Sequence, residues 1–112
     1  MLEVASLSLE KDLIEAVTDY QKLWNVLGIE PPVALGIALA DVNGAMIHPA
    51  SQRIGLPNAA IDRDVVVVPE AAVDDLTIAV PDLLRLLFDL VWNAGGWPGS
   101  PHYVNDRWTG RW

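Results

Sequence analysis

Apolar and polar positions along the chain follow the period of an α-helix in two segments. In residues 8–28 the apolar side chains recur at steps of three and four, which places them on one helix face. Ser8 can cap the start of this helix, and Glu10 and Asp12 suit its first turn. Gly28, followed by two prolines, ends it. The apolar positions of this predicted face are Leu9, Leu13, Ala16, Val17, Tyr20, Leu23, Trp24 and Leu27.

A second helix is predicted over residues 82–94. Its polar residues form one narrow stripe at steps of three and four, and apolar side chains cover the remaining surface. We therefore expect this helix to be mostly buried, either by its own sheet or by a partner. Ion pairs along the stripe need no function to explain them. The stripe consists of Asp82, Arg85, Asp89 and Asn93.

Between the two predicted helices, the residues alternate with the period of two that is typical of β-strands. Residues 33–42 alternate large apolar side chains with alanine and glycine, and Asn43-Gly44 is a favoured tight turn, so residues 33–48 are predicted to form a hairpin. Residues 49–63 have no sustained period. The valine run after Asp64 predicts a strand that is buried on both faces and stopped by Pro69. A further short strand is expected near residues 76–80, so that residues 64–80 supply the remaining strands.

These elements predict a single α+β domain spanning residues 1–112. Two helices would pack on a short, mainly antiparallel sheet of three to four strands. Residues 95–112 follow as an irregular aromatic tail, since prolines and glycines interrupt any period there.

Composition narrows the classes of function. The chain has 112 residues, a net charge of −8 and no cysteine. Its seven basic residues are scattered, which disfavours direct binding to nucleic acid. No apolar run is long enough to cross a membrane, and the first residues lack a secretory-signal pattern. We expect a cytoplasmic protein without a cofactor.

The tail offers candidate chemistry. Ser100, His102 and Asp106 are close in sequence and invite comparison with a catalytic triad, but the segment lacks a strained nucleophile turn. His48 and His102 are weak candidates for metal ligands, because no spacing supports a metal site. A histidine that contributes hydrogen bonds or packing is the simpler interpretation.

The tail aromatics have two compatible interpretations. They can anchor an irregular segment across the protein's own core, or they can form an interface, where tryptophan and tyrosine dominate binding energy. The predicted contact surface combines the second helix with the tail. Its residues are Leu83, Leu87, Leu90, Trp97, Tyr103, Trp108 and Trp112.

Three segments together resemble a known group of proteins. They are "PPVALGIALADVNGA", "IDRDVVVVPEAAVDDL" and "LLRLLFDLVWNAGGWPGSPHYVNDRW". The chain resembles, over residues 9 to 108, the C-terminal region of actinobacterial proteins with an N-terminal Schlafen/Alba-type DNA-binding domain, often described as ATP-binding proteins or transcriptional regulators. The resemblance implies a C-terminal accessory module or a free-standing relative of one. No functional residue of the N-terminal domain has a matching position here.

Three functions remain open at this point. The favoured hypothesis is a non-catalytic interaction, dimerisation or regulatory module that binds itself or a larger protein. The first alternative is a small-molecule pocket between sheet and helices, with room provided by Ala34, Gly36 and Ala38. The second is a small metal-dependent or hydrolytic enzyme that uses His48, His102 and carboxylates.

Overall fold

The computed structural model describes residues 3–47 and 60–109. It has two helices and small, mainly antiparallel sheets, which confirms the predicted α+β class. The strands form three separate two-stranded sheets, β1–β3, β2–β4 and β5–β6, instead of one. In chain order the elements are β1 (Glu3–Val4), α1 (Ser6–Leu27), β2 (Val33–Ala40), β3 (Met46–Ile47), β4 (Val65–Val73), α2 (Val80–Ala94), β5 (Tyr103–Val104) and β6 (Arg107–Trp108).

Helix α1 matches its predicted extent, apart from its start. Gly28 adopts a left-handed conformation with φ 68°, and the N–H of Ile29 donates to the carbonyl of Trp24, which closes the helix as expected for glycine at this position. The predicted cap at Ser8 is wrong, because the helix begins at Ser6 directly after β1. Ser8 therefore lies inside the first turn.

The sheet of β2 and β4 has one covered face and one open face. Side chains of β2 alternate between half-buried and exposed, as the period of two predicts. The expectation that β4 is buried on both faces is wrong: Val66 and Val68 are buried, whereas Val67 is 69% exposed. Helix α2 packs on only one side of β4, so the alternate valines face outward.

Pro69 does not end β4 as predicted. The strand continues to Val73, and the register shifts at Gly36, where Leu35 opposes Ala71 and Ile37 opposes Val68. Two residues of β4, including Pro69, thus face Gly36 alone. A β-bulge tolerates a proline because the bulged residue need not donate to the ladder.

The predicted hairpin over residues 33–48 is also wrong in its pairing. The turn at Asn43-Gly44 is present, with Gly44 at φ 81°. However, β2 pairs with β4, and β3 pairs in parallel with β1. Strand β4 supplies an antiparallel partner along the whole of β2. The short strand expected near residues 76–80 is absent; Leu76 lies in a turn, and Val80 begins α2.

The core lies where α2 meets β4 and the first half of α1. Helix α2 buries six side chains, as expected for its broad apolar surface. Helix α1 buries only three of its 22 residues, and after Val17 only its Trp24 packs against the core. Partly buried side chains of β2, such as Leu35 and Ile37, border this core. A much larger share of α2 than of α1 is therefore buried.

Gly95 is required for the contact between α2 and β3. A Cβ atom at this position would overlap with Cγ2 of Ile47, which is fully buried and has a stiff β-branched side chain. We expect Gly95→Ala to lower the free energy of unfolding by about 1–3 kcal/mol through overpacking. Gly36→Ala is the control, since its Cβ would meet Cγ of Glu70 at 3.4 Å, an ordinary contact. Denaturant unfolding should show a change of about 0.5 kcal/mol or less for the control, and equal losses in both variants would contradict the packing argument.

None of the described helices combines the length and apolar character needed to cross a bilayer.

Candidate functional site

A single buried carboxylate lies where α1, α2 and the tail meet. Glu10 of α1 is 1% exposed, and both of its oxygens accept hydrogen bonds. Oε2 accepts from Nε1 of Trp92 at 2.7 Å and from Oγ of Ser100 at 2.7 Å. Oε1 accepts from Nε1 of Trp108 at 2.8 Å and from Nδ1 of His102 at 3.1 Å. We call these five residues the Glu10 cluster.

The hydrogen bonds occupy the whole accepting capacity of the carboxylate. Two carboxylate oxygens offer about four lone-pair sites, and four donors fill them. A general base or a metal ligand needs a free lone pair that substrate or metal can reach. Glu10 has neither access nor spare capacity, so the geometry assigns it an anchoring role, in which it holds the tail to the helices.

His102, a member of the Glu10 cluster, is fully buried. Its Nδ1 faces Glu10, and its ring packs edge-on against Trp92 with centroids 5.6 Å apart. Nε2 is buried and has no hydrogen-bond partner within residues 3–47 and 60–109. In a hydrolytic triad this nitrogen would face the nucleophile, but the Oγ of Ser100 donates to Glu10 instead.

Asp106, the third residue of the triad comparison, lies elsewhere. Its Oδ1 accepts from Nη1 of Arg85 at 2.8 Å on the surface. The structure therefore brings Ser100 and His102 together around Glu10 and leaves Asp106 outside that group. The spacing of serine, histidine and aspartate in the sequence does not correspond to a triad.

The tail packs along the polar stripe of α2. Arg85 pairs with Asp106, and Oδ1 of Asp89 accepts from the backbone N–H of Ser100 at 2.8 Å. The side chain of Asn93 donates to the carbonyl of Trp97 at 2.9 Å. Ion pairs within the helix were predicted for this stripe, but Arg85 and Asp89 use their polar groups to bind the tail.

The end of the tail is more regular than predicted. Strands β5 and β6 form a hairpin whose two turn residues, Asn105 and Asp106, have φ values of 51° and 63°. A two-residue hairpin turn of type I′ requires a positive φ at both of its central residues. The hydroxyl of Tyr103 donates to the carbonyl of Pro81, and Arg85 lies 4.9 Å from the centroid of the Tyr103 ring.

Trp97 fixes the first part of the tail. Its indole Nε1 donates to the carbonyl of Ile47 at 2.6 Å, and its ring meets that of Trp92 edge-on with centroids 5.7 Å apart. The tail thus contacts β3, α2 and the Glu10 cluster. These contacts all lie within one copy of the chain.

The residues of the predicted contact surface have different environments. Leu87 is 1% exposed inside the core, so it cannot contribute to a surface contact. Leu83 and Leu90 are partly exposed. Trp97, Tyr103 and Trp108 are partly buried, and their polar atoms bind groups of the same chain. Trp112 and His48 lie outside the described residues.

Other candidate sites have structural explanations. Within the part of the chain that the structure describes, no three side chains of histidine, aspartate or glutamate come together as metal ligands. The side of β2 with Ala34, Gly36 and Ala38 is exposed and turned away from the helices, so it lines no pocket between sheet and helices.

Glu10 is not among the predicted site residues. Its place in the sequence was predicted only to suit the first turn of α1. The detectable signal was its position: Glu10 precedes Leu13 and Val17 by three and seven residues, and therefore stands on the apolar face of the helix. A charge on an apolar face must find partners when it is buried.

Comparison of the chain with protein families, with curated proteins and with solved structures gives no match. The resemblance to the C-terminal region of Schlafen/Alba-type proteins stays a prediction.

The Glu10 cluster makes stability depend on pH. Burial raises the pKa of Glu10, but the hydrogen bonds from His102, Ser100, Trp108 and Trp92 together lower it below its ordinary value of 4.5. A carboxyl group whose pKa is lowered by folding stabilises the fold fully above its unfolded pKa, and this contribution is lost as pH falls through the folded pKa. We expect the wild-type chain to lose more stability than Glu10→Gln between about pH 5 and about pH 3. If the free energy of unfolding falls equally with pH in both proteins, the lowered pKa of Glu10 is contradicted.

Proposed function

We propose that the chain is a non-catalytic association module whose partner is a second copy of itself. The observation that carries the proposal is a group of exposed apolar side chains in the second half of α1 and just after it. We call this group the α1 patch. It consists of Tyr20, Leu23, Val26, Leu27 and Ile29.

The position of the α1 patch explains why it is uncovered. Helix α1 packs against the core up to Val17, and after Val17 only its Trp24 packs there, whereas Tyr20, Leu23 and Leu27 are exposed. Tyr20, Leu23 and Leu27 follow the same helical spacing that predicts a buried face. Exposed apolar residues scattered singly are ordinary, but a clustered group marks an interaction surface.

Few charges lie within the α1 patch. Two copies of a chain with a net charge of −8 repel each other. Residues 20–29 contain one charged side chain, Lys22, and no carboxylate. The acidic residues of α1 all precede the patch, namely Glu10, Asp12, Glu15 and Asp19. The α1 patch therefore contains no carboxylate itself, although Asp19 and Glu30 flank it.

The α1 patch replaces the predicted surface of α2 and the tail in this proposal. The tail uses its aromatic side chains for contacts within its own chain, and these contacts leave less apolar surface for a partner. The resemblance adds a further expectation. A self-associating module of this kind would assemble the larger DNA-binding proteins whose C-terminal region it resembles.

Sedimentation equilibrium of the whole chain tests the proposal. We expect the average mass to rise with concentration from 12.2 kDa toward that of two copies. A mass of one chain at every concentration, with the fold intact by circular dichroism, would overturn it.

A further inference from the structure

Two carboxylates of the helices bind the tail. Glu10 of α1 accepts hydrogen bonds from three tail residues, which are Ser100, His102 and Trp108. Asp89 of α2 accepts a further one from the backbone N–H of Ser100. The attachment of the tail therefore depends in part on groups whose charge disappears in acid.

The buried apolar core has no member from the tail among the residues that the structure describes. Its members belong to α1, α2, β3, β4 and the segments that precede β3 and β4. Trp97 and Tyr103 of the tail pack against this core and are only partly buried. Contacts between apolar side chains do not change with protonation, whereas the hydrogen bonds of Glu10 and Asp89 do. Acid therefore weakens the attachment of the tail more than it weakens the core.

We propose that the tail is a pH-sensitive cover of α2, which acid releases while both helices and the β2–β4 sheet stay folded. Protonation turns one accepting oxygen of Glu10 into a hydroxyl donor, which then faces other donors. Trp92 is 1% exposed and contacts the rings of Trp97 and His102, so release of the tail makes it accessible. This release takes place in a single copy and does not depend on the proposed self-association.

Two titratable side chains of the tail lie near Glu10. His102 donates from Nδ1 to the carboxylate whether its ring is neutral or charged, so its own protonation leaves this hydrogen bond in place. Burial, together with the charges of Glu10 and Asp89, raises the pKa of Tyr103, so its hydroxyl stays neutral as pH falls. Neither side chain loses its hydrogen bond by titrating in acid. The release therefore depends on the carboxylates.

The other charged groups between α2 and the tail have a smaller effect. Arg85 pairs with Asp106 at the surface, where ion pairs contribute little to stability. Asp82 acts on the hydroxyl of Tyr103 through its charge. Protonation of Asp82 or Asp106 is therefore expected to change the attachment of the tail less than protonation of the buried Glu10.

Hydrogen exchange measured by NMR over a series of pH values tests the release, at a concentration where single chains prevail. The indole N–H of Trp108 reports on the tail, and the backbone N–H of Leu87, in the middle of α2, reports on the core. Each rate is divided into that of the unprotected group at the same pH. Between about pH 6 and about pH 3, we expect the protection of Trp108 to fall at least about tenfold more than that of Leu87. Tenfold is about the change that the loss of one hydrogen bond to a charged group produces.

Two variants assign the release to Glu10, and circular dichroism verifies their fold. In Glu10→Gln the side chain does not titrate, so Trp108 should be weakly protected already at neutral pH and acid should change its protection little. Glu15→Gln removes an exposed carboxylate from the same helix and should respond to acid as the wild type does. Equal losses of protection at Trp108 and Leu87 in the wild type, or no loss at Trp108, would overturn the proposal. The same would follow if Glu10→Gln responded to acid as strongly as the wild type.

Discussion

Glu10→Ala is expected to lower the free energy of unfolding by about 3–5 kcal/mol, the loss typical when one partner of a buried charged group is removed. The substitution leaves four donors without their acceptor, on Trp92, Ser100, His102 and Trp108. Each unsatisfied buried donor costs about 1–3 kcal/mol before the structure relaxes. Since a domain of this size is stabilised by only about 5–15 kcal/mol in total, the expected loss is a large part of its stability.

Two further variants make this result specific to the Glu10 cluster. Glu15→Ala removes an exposed carboxylate from the same helix and should change stability by about 0.5 kcal/mol or less. Glu10→Gln keeps the shape but replaces one accepting oxygen with an NH₂ group, so an intermediate loss of about 1–3 kcal/mol is expected. Urea unfolding followed by tryptophan fluorescence measures all three. A loss for Glu10→Ala no larger than that for Glu15→Ala would contradict the anchoring role.

The double substitution Leu23→Glu with Leu27→Glu is expected to weaken self-association by about 100-fold or more. An unpaired charge buried in an apolar contact costs several kcal/mol, and every 1.4 kcal/mol corresponds to tenfold in the dissociation constant. Both residues are exposed in the single chain, so the fold itself should tolerate the change. Sedimentation equilibrium gives the dissociation constant, and circular dichroism verifies the fold.

Leu86→Glu is the matched control for this prediction. Leu86 lies on α2 and is 61% exposed, compared with 63% for Leu27. If the α1 patch forms the contact, Leu86→Glu leaves the dissociation constant unchanged. If Leu86→Glu separates the copies and the double variant does not, the contact lies on α2, where sequence analysis first placed it.

The elements that sequence analysis predicted well are those specified by local signals. Helices α1 and α2 repeat apolar residues over several turns, and Gly28 and Gly95 mark their ends. The alternation in β2 likewise depends only on neighbouring residues. Such patterns act within the segment itself, so no knowledge of the tertiary structure is needed to identify them.

The wrong predictions concern partners that are distant in the chain. Asn43-Gly44 predicts a turn correctly, but no local signal reveals that β2 pairs with β4 and not with β3. The run of valines in β4 does not show which face α2 leaves open. Pro69 would end most strands, and it is tolerated here because it lies in a bulge, where it need not donate to the ladder.

The Glu10 cluster is the feature that the sequence predicts least well. Its hydrogen bonds join residues up to 98 positions apart, between the start of α1 and the last strand. The tail was expected to anchor itself by aromatic packing, and its aromatic rings do pack against the core. However, their N–H groups also converge on one carboxylate, and this convergence appears only when α1, α2 and the tail are assembled.

The most direct test of the Glu10 cluster is hydrogen exchange of the tryptophan indole N–H groups by NMR, at a concentration where single chains prevail. Trp108 lies in the last described strand, and its indole donates to Glu10. We predict that this N–H is protected, at a level close to that of the core residue Trp92, and that Glu10→Gln reduces the protection of both. Exchange of the Trp108 indole at the rate of free tryptophan in the wild-type monomer would show that the tail is not anchored to its own chain, and would contradict the account.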